Sequence, residues 1–240
     1  MELKDTRKNW DKLAQIDPFY GVASDPVKLG RKWEEKEFFL TGVQLIDAML
    51  GYGAEKSIKI PDGNALDFGC GVGRLSQALS HRFEHVTGVD ISATMIKLAR
   101  EHDKSGGRCS FVLNEKNDLS VFAGETFDFV FTDMVLQHLD PRYAVDYIRE
   151  FARVLKKGGL LVFQLPEKAQ YSSVRVFLKK FVSKPLLVLY RRLKYGRSHT
   201  ADVEVEMNGI DKKEVISMLD GLGLKVLDAE ARYYWAEKPL

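Results

Sequence analysis

The chain has 240 residues, of which 45% are hydrophobic and 29% charged, and a net charge of +2, the composition of a soluble globular protein long enough for one well-developed core. A charged-then-apolar leader is missing from its start, and no apolar run approaches the roughly 20 residues of a membrane helix, so a cytoplasmic location is expected. Its two cysteines, Cys70 and Cys109, are too few for a disulfide framework and lack metal-ligand spacing, which excludes a stapled secreted domain and predicts no metal centre.

Residues 1–53 are aromatic and charged. Asp17-Pro18 and Asp25-Pro26 mark turns, and Trp33 to Phe39 followed by Val43, Ile46 and Leu50 has helical spacing. Two or three helices are predicted there. Trp10, Tyr20 and Trp33 are candidates for a functional surface, although aromatic residues at such spacing also serve as plain core.

The stretch Ala65 to Leu79, A-L-D-F-G-C-G-V-G-R-L-S-Q-A-L, joins a short apolar run to three closely spaced glycines and then to an amphipathic pattern. Strand, tight turn and helix are predicted in that order. Glycines let the backbone approach a ligand, and the new helix turns free N–H groups toward it. Dinucleotide enzymes space these glycines G-x-G-x-x-G for a pyrophosphate. Here the spacing is G-x-G-x-G with Asp67 two residues before Gly69. An acid at that place is unsuited to a diphosphate and suited to a ligand carrying an ammonium group.

This motif, D-F-G-C-G-V-G, resembles that of the class I S-adenosylmethionine-dependent methyltransferases. The resemblance implies a doubly wound, seven-stranded, mostly parallel Rossmann-like sheet, an N-terminal helical lid over residues 1–56, and S-adenosyl-L-methionine as cofactor. It also implies a cofactor site built on Asp67, Gly69, Cys70, Gly71 and Gly73. The Rossmann-like core would comprise residues 57–167 and 202–240.

Next, His85 to Asp90 reads as a second strand ending in an acid 17 residues beyond Gly73, where doubly wound folds place the carboxylate for the ribose hydroxyls. Ser92 has the position of a helix cap, with Met95, Ile96, Leu98 and Ala99 forming the helix face. Ile91 and Met95 are candidates for contact with adenine, and Met95 also fits the core. A third strand over Ser110 to Leu113 runs into Asn114-Glu115-Lys116-Asn117-Asp118-Leu119. By resemblance the adenine is held here, with Asp118 and Leu119 preferred and Asn114 and Asn117 in reserve. A plain Asn/Asp-rich solvent loop is the competing reading.

Phe127 to Phe131 reads as the central fourth strand, which would aim Thr132, Asp133, Met134 and Val135 at the methionine part of the cofactor and the acceptor. The sequence T-D-M-V stands where amino and nucleic-acid methyltransferases often carry N-P-P-Y or D-P-P-Y, which argues against methylation of bases in nucleic acid. His138 is the histidine nearest the expected chemistry. It reads either as a general base, with Asp133 as the other candidate, or as a structural residue at the foot of a helix. Tyr143 to Leu155 is an amphipathic helix opened by Asp140-Pro141, and R-V-L-K-K-G-G-L-L-V-F resembles the family's R-V-L-K-P-G-G before a fifth strand.

Between Lys168 and Ala201 the chain carries nine cations and no Asp or Glu, interleaved with Val174, Phe177, Leu178, Phe181 and Leu189 at helical spacing. This reads as a basic helical insertion before the sixth strand. Residues 171–197 would either touch an anionic membrane peripherally or cover the acceptor pocket. RNA is less favoured, because phosphate contacts do not require an apolar face. A helix near Val215 to Leu219 and two last strands, Leu224 to Leu227 and Arg232 to Trp235, complete the chain. The expected function is methyl transfer to an O or N of a small or lipid-linked acceptor. Two alternatives stand beside it: a non-catalytic cofactor-binding module docking through its basic helix, and an NAD-dependent oxidoreductase, which the glycine spacing and Asp67 weaken.

Overall fold

The computed structural model describes residues 1–168 and 205–240. The expected basic insertion at 168–201 and its contact segment 171–197 lie outside the described residues, Lys168 excepted. In chain order the elements are α1 (Leu3–Ile16), α2 (Pro18–Val22), α3 (Glu35–Glu55), β1 (Asn64–Phe68), α4 (Arg74–Leu79), β2 (His85–Asp90), α5 (Ala93–Glu101), β3 (Cys109–Leu113), β4 (Phe127–Thr132), α6 (Pro141–Val154), β5 (Leu155–Phe163), α7 (Lys212–Gly221), β6 (Lys225–Asp228) and β7 (Tyr234–Glu237).

The strands form one seven-stranded sheet in the order β3-β2-β1-β4-β5-β7-β6. β1 to β5 run parallel, whereas β7 is antiparallel to both β5 and β6. The strands are apolar on both faces because helices cover both. Leu66, Phe68 and Val130 pack with Tyr147, Ile148 and Phe151 of α6 and with Val215 and Leu219 of α7. On the other face Ala65, Phe129, Phe131 and Trp235 meet Ile46 and Met49 of α3 and Leu75 and Leu79 of α4. α3 therefore belongs to the sheet's packing, and α1 and α2 are what remain of the expected lid.

Local signals explain the helix starts. Asp17, Ser92, Asp140 and Asp211 each accept a main-chain N–H of the first turn, and proline opens α2 and α6. Two boundaries differ from the sequence reading. Gly158 and Gly159 do not precede the fifth strand but lie inside it, where the β4–β5 register shifts between Phe127↔Leu155 and Phe129↔Leu160. The last strand begins at Tyr234, because Arg232 and Tyr233 turn their side chains toward Asp133 instead.

Strand order reverses between β1 and β4: the chain builds outward through β2 and β3, then returns to the other side of β1. Ligands of open parallel sheets bind outside the carboxyl ends of the strands at such a reversal.

Candidate cofactor and acceptor site

A cavity of about 510 Å³ opens at that reversal, a volume typical of small-molecule sites. Its floor is the turn after β1. Gly69, Gly71 and Gly73 all have left-handed backbone angles, φ +76°, +54° and +81°, which side chains tolerate poorly. Space is equally restrictive there. A Cβ on Gly69 would overlap the Val135 side chain, and one on Gly71 would lie 2.5 Å from Val22 Cγ2 of α2.

Asp90, at the end of β2, lines the cavity. Its Oδ2 accepts the Gly71 N–H at 2.9 Å and its Oδ1 the Ser92 N–H at 2.8 Å. One carboxylate thus braces the glycine turn and the start of α5 together. Burial pushes the Asp90 carboxyl up, and the main-chain donors of Ser92, Gly71 and Ile91 oppose that shift. The Ser92 hydroxyl donates to Asp11 of α1 at 2.6 Å, which fastens α1 over this end of the site.

Ile91, Met95, Asn114, Gly69, Cys70 and Gly71 also line the cavity. Several candidates do not. Asn117 is exposed. Asp118 points to the Ser120 N–H, which holds its carboxyl below the ordinary range. The Leu119 N–H is taken by Glu150 Oε2 at 2.7 Å. Asn114 is the residue of this loop that reaches the cavity, because its Nδ2 donates back to the Asp118 carbonyl at 2.7 Å and pulls the loop under it.

Asp67 is also absent from the lining. It is buried behind the turn, where its Oδ2 accepts the Ser76 hydroxyl at 2.6 Å. Burial pushes its carboxyl up to about 7, against the Ser76 hydrogen bond and the Arg74 charge. Asp67 therefore lies behind the residues that line the cavity. Thr132 and Gly73 are near the floor without lining it; Thr132 is fully buried.

Apolar residues supply much of the remaining lining: Leu3 and Trp10 of α1, Met134 and Val135 after β4, Leu139, and Val205 and Met207. His138 is set among them, edge-on to Trp10 with ring centroids 5.4 Å apart. Its Nδ1 lies 2.7 Å from the Glu206 carbonyl. A carbonyl only accepts, so Nδ1 carries the proton and Nε2 keeps its lone pair. Burial pulls the imidazole down from 6.5. In the structure the Nε2 lone pair faces Gln137 Nε2 at 3.2 Å. Asp133 also lines the cavity, with Oδ1 accepting from Arg232 and Tyr233. Of the three aromatic lid candidates, Trp10 and Tyr20 line the cavity, whereas the Trp33 indole N–H is held by the Ala23 carbonyl.

Arg74 is a lining residue that the sequence reading missed. A cation in the first turn of a helix opposes the helix dipole, and that mismatch was a usable signal.

Among the described residues, no helix is long and apolar enough to cross a membrane, and no group of three or more His, Cys, Asp or Glu is placed to hold a metal.

The sheet is thus doubly wound, with a glycine turn at its switch point and the Asp90 carboxylate at the end of the neighbouring strand, both on the cavity. Residues 66–163 match the family model described as "Methyltransferase domain". The chain is 35% identical over 108 residues to a ubiquinone biosynthesis O-methyltransferase of Xylella fastidiosa, covering 44% of this chain and 43% of the relative. It thus spans less than half the length of that curated relative. Among solved structures it resembles a SAM-dependent methyltransferase of Methanosarcina mazei (TM-score 0.55, 24% identity, 75% of this chain and 93% of the other). It also resembles magnesium protoporphyrin IX methyltransferase of Synechocystis PCC 6803 with bound S-adenosylhomocysteine (TM-score 0.53, 21% identity, 82% and 81%). At these identities the two structures speak for the fold.

Proposed function

We propose that this chain transfers the methyl group of S-adenosylmethionine to an oxygen or nitrogen of a small or lipid-linked acceptor with a largely apolar body, a hydroxyl being the favoured group. The observation that supports this is one cavity lined both by the glycine turn, Asp90 and Asn114 and by apolar residues that include Leu3, Trp10, Val135 and Met207, with His138 also in the lining. The residues fit the cofactor, since Gly69 and Gly71 bring bare backbone to the cavity at places too tight for a Cβ and Asp90 adds a carboxylate to its lining.

In this reading Asp90 holds the ribose hydroxyls, Ile91, Met95 and Asn114 border the adenine, and Gly69 to Gly71 approach the rest. When bound, the sulfonium supplies an electrophilic methyl group. The protein's own part is orientation and dryness. α1 and α2 close the chamber, Trp10, Val135 and Met207 grip the acceptor's apolar body, and alignment of this kind contributes roughly 7–11 kcal/mol of barrier lowering. His138 receives the acceptor's proton at Nε2 once Gln137 turns aside, and the Glu206 carbonyl stabilises the imidazolium through Nδ1–H. Within residues 1–56, α1 and α2 act as the lid and α3 packs on the sheet, in one domain with 57–167 and 202–240. The basic 168–201 segment brings this cytoplasmic domain to the inner membrane surface, where a lipid-linked acceptor resides.

Incubation with labelled S-adenosylmethionine and a panel of phenolic, quinol-like and lipid-linked hydroxyl compounds tests the reading. Methylation of at least one acceptor is expected, and it should fall sharply in an Asp90→Ala variant. Binding of S-adenosylmethionine with no turnover on any class would favour the binding-module alternative. Sedimentation with anionic vesicles, weakening as salt rises, is expected of the basic segment; no binding at low salt would remove the membrane role.

A further inference from the structure

The helix α1 has two faces of opposite character. Leu3, Thr6, Trp10 and Leu13 line the cavity. Lys4, Lys8 and Lys12 are exposed, about one helical turn apart, and so form a row along the other side. Among the described residues none of the three pairs with a carboxylate, whereas neighbouring Arg7 is bound to Glu115 at 2.7 Å. Arg31 extends the row. Its exposed guanidinium donates through Nε and Nη2 to the Ile16 and Gln15 carbonyls at 2.8 and 2.9 Å, which sets it against the end of α1. Asp5 is the exposed acid beside the row, and Asp11 is committed to the Ser92 hydroxyl and the Thr94 N–H. At the helical rise, this cationic line is roughly 17 Å long.

A charged row on a helix is ordinarily just solvated, but this one stands on an acidic body. Without the nine cations of residues 168–201 the chain, +2 overall, is left at −7. Elsewhere Lys28, Lys56, Lys104 and Arg142 are paired with Glu37, Glu230, Glu35 and Asp140. An anionic surface repels such a body except where unpaired cations collect. The α1 row and the basic block are two such places, and both border one cavity. The block's last cation, Arg197, precedes cavity-lining Val205 by eight residues. His138 joins the two borders, edge-on to Trp10 and bonded to the Glu206 carbonyl. Met134 and Met207 also line the cavity and are 38% and 44% exposed, so apolar surface reaches solvent at its opening.

A lipid bilayer with acidic headgroups offers both counterparts, negative charge for the row and hydrocarbon for the methionines. We infer that the outer face of α1 docks on an anionic bilayer and, together with the basic segment, sets the cavity's opening at the lipid surface. This rests on the membrane contact proposed above for residues 168–201 and adds a second contact that fixes orientation. One contact leaves the domain free to swivel. Two on the borders of one opening do not.

Sedimentation with phosphatidylcholine vesicles containing phosphatidylglycerol, at low ionic strength, tests this on the whole chain. Three triple variants are compared with wild type. Lys4→Gln/Lys8→Gln/Lys12→Gln removes the α1 row. Lys59→Gln/Lys157→Gln/Lys225→Gln removes the same charge from exposed positions near the amino ends of β1, β5 and β6, at the rim away from the cavity. Lys179→Gln/Lys180→Gln/Lys184→Gln thins the basic block. Wild type is expected to bind. The α1 variant should bind about 10-fold to 100-fold more weakly, and the opposite-rim variant should stay within about threefold of wild type. Unchanged binding by the α1 variant, or equal loss in the opposite-rim variant, would overturn the inference. Loss confined to the basic-block variant would refute the α1 surface and leave that segment's membrane contact standing. No binding by wild type would remove both. The lysines of α1 and of the opposite rim are exposed, so folding is preserved in those two variants, and a thermal melt verifies it.

Discussion

Replacing Asp90 by alanine removes one carboxylate that serves two purposes, and the two losses can be read separately. In the folded chain it accepts the Gly71 and Ser92 amides at 2.9 and 2.8 Å. A hydrogen bond to a charged group contributes roughly 1.5–3 kcal/mol, but Asp90 borders a cavity wide enough for water to satisfy part of what is lost. A net stability loss of about 2–3 kcal/mol follows, which for a chain of this size lowers the melting temperature by roughly 4–10 °C. For the ligand, two charge-assisted bonds to a ribose diol amount to about 3–4 kcal/mol, or roughly 100-fold to 1,000-fold in Kd. Calorimetric titration with S-adenosylhomocysteine reads the second effect, and a thermal melt of ligand-free protein reads the first. Unchanged affinity would refute the placing of ribose at Asp90. An unchanged melting temperature would refute its bracing of the glycine turn.

Asp67→Asn should alter how stability depends on pH. Burial raises the folded carboxyl to about 7, above an unfolded value near 4, so the folded state binds the proton more tightly. Its contribution is present in full below about pH 4 and is lost as pH rises to about 7, by an order of a few kcal/mol. Urea titrations at pH 4, 5.5 and 8 should show the variant gaining on wild type with rising pH; a constant difference would contradict a carboxyl raised by burial. His138→Gln should lower kcat by roughly 100-fold to 10,000-fold. The wild-type kcat/KM should fall only below the ordinary histidine range, since burial lowers this imidazole; a loss under tenfold would end its role as base. Asp17 is buried and accepts the N–H groups of Tyr20, Gly30 and Arg31. Asp17→Ala should therefore speed hydrogen exchange over residues 18–31 and cost about 2–4 kcal/mol; unchanged exchange there would show that the lid is held elsewhere.

Much of the fold was legible because its signals are local. The glycine turn, the capping serine at 92 and the Asp140-Pro141 helix start are each spelled within a few residues, and the structure places strand, turn and helix accordingly. β-Pairing is not local, so the glycines at 158 and 159 read as a boundary when they are a register shift within β5. The site divides in the same way. Asp90 follows from its spacing, and the cavity receives it. The loop at 114–119 was less legible, because which of Asn114, Asn117 and Asp118 lines the cavity depends on hydrogen bonds to Ser120, Glu150 and the loop's own backbone. The apolar lining combines α1, the β4 exit, Val205 and Met207; residues that far apart in sequence announce no common purpose.

That division has a consequence for engineering. Asp90, Asn114 and the glycine turn are anchored to strand ends, whereas Leu3, Trp10, Val205 and Met207 are supplied by a helix and a strap draped across the same mouth. The strap is tied to the core through the Asn208 N–H on the Gln137 carbonyl at 2.7 Å and Asn208 Nδ2 on the Leu139 carbonyl at 2.8 Å. A mutant library confined to those four apolar positions therefore reshapes the cavity while its strand-end anchors stay untouched, with Asn208 kept constant as the rivet.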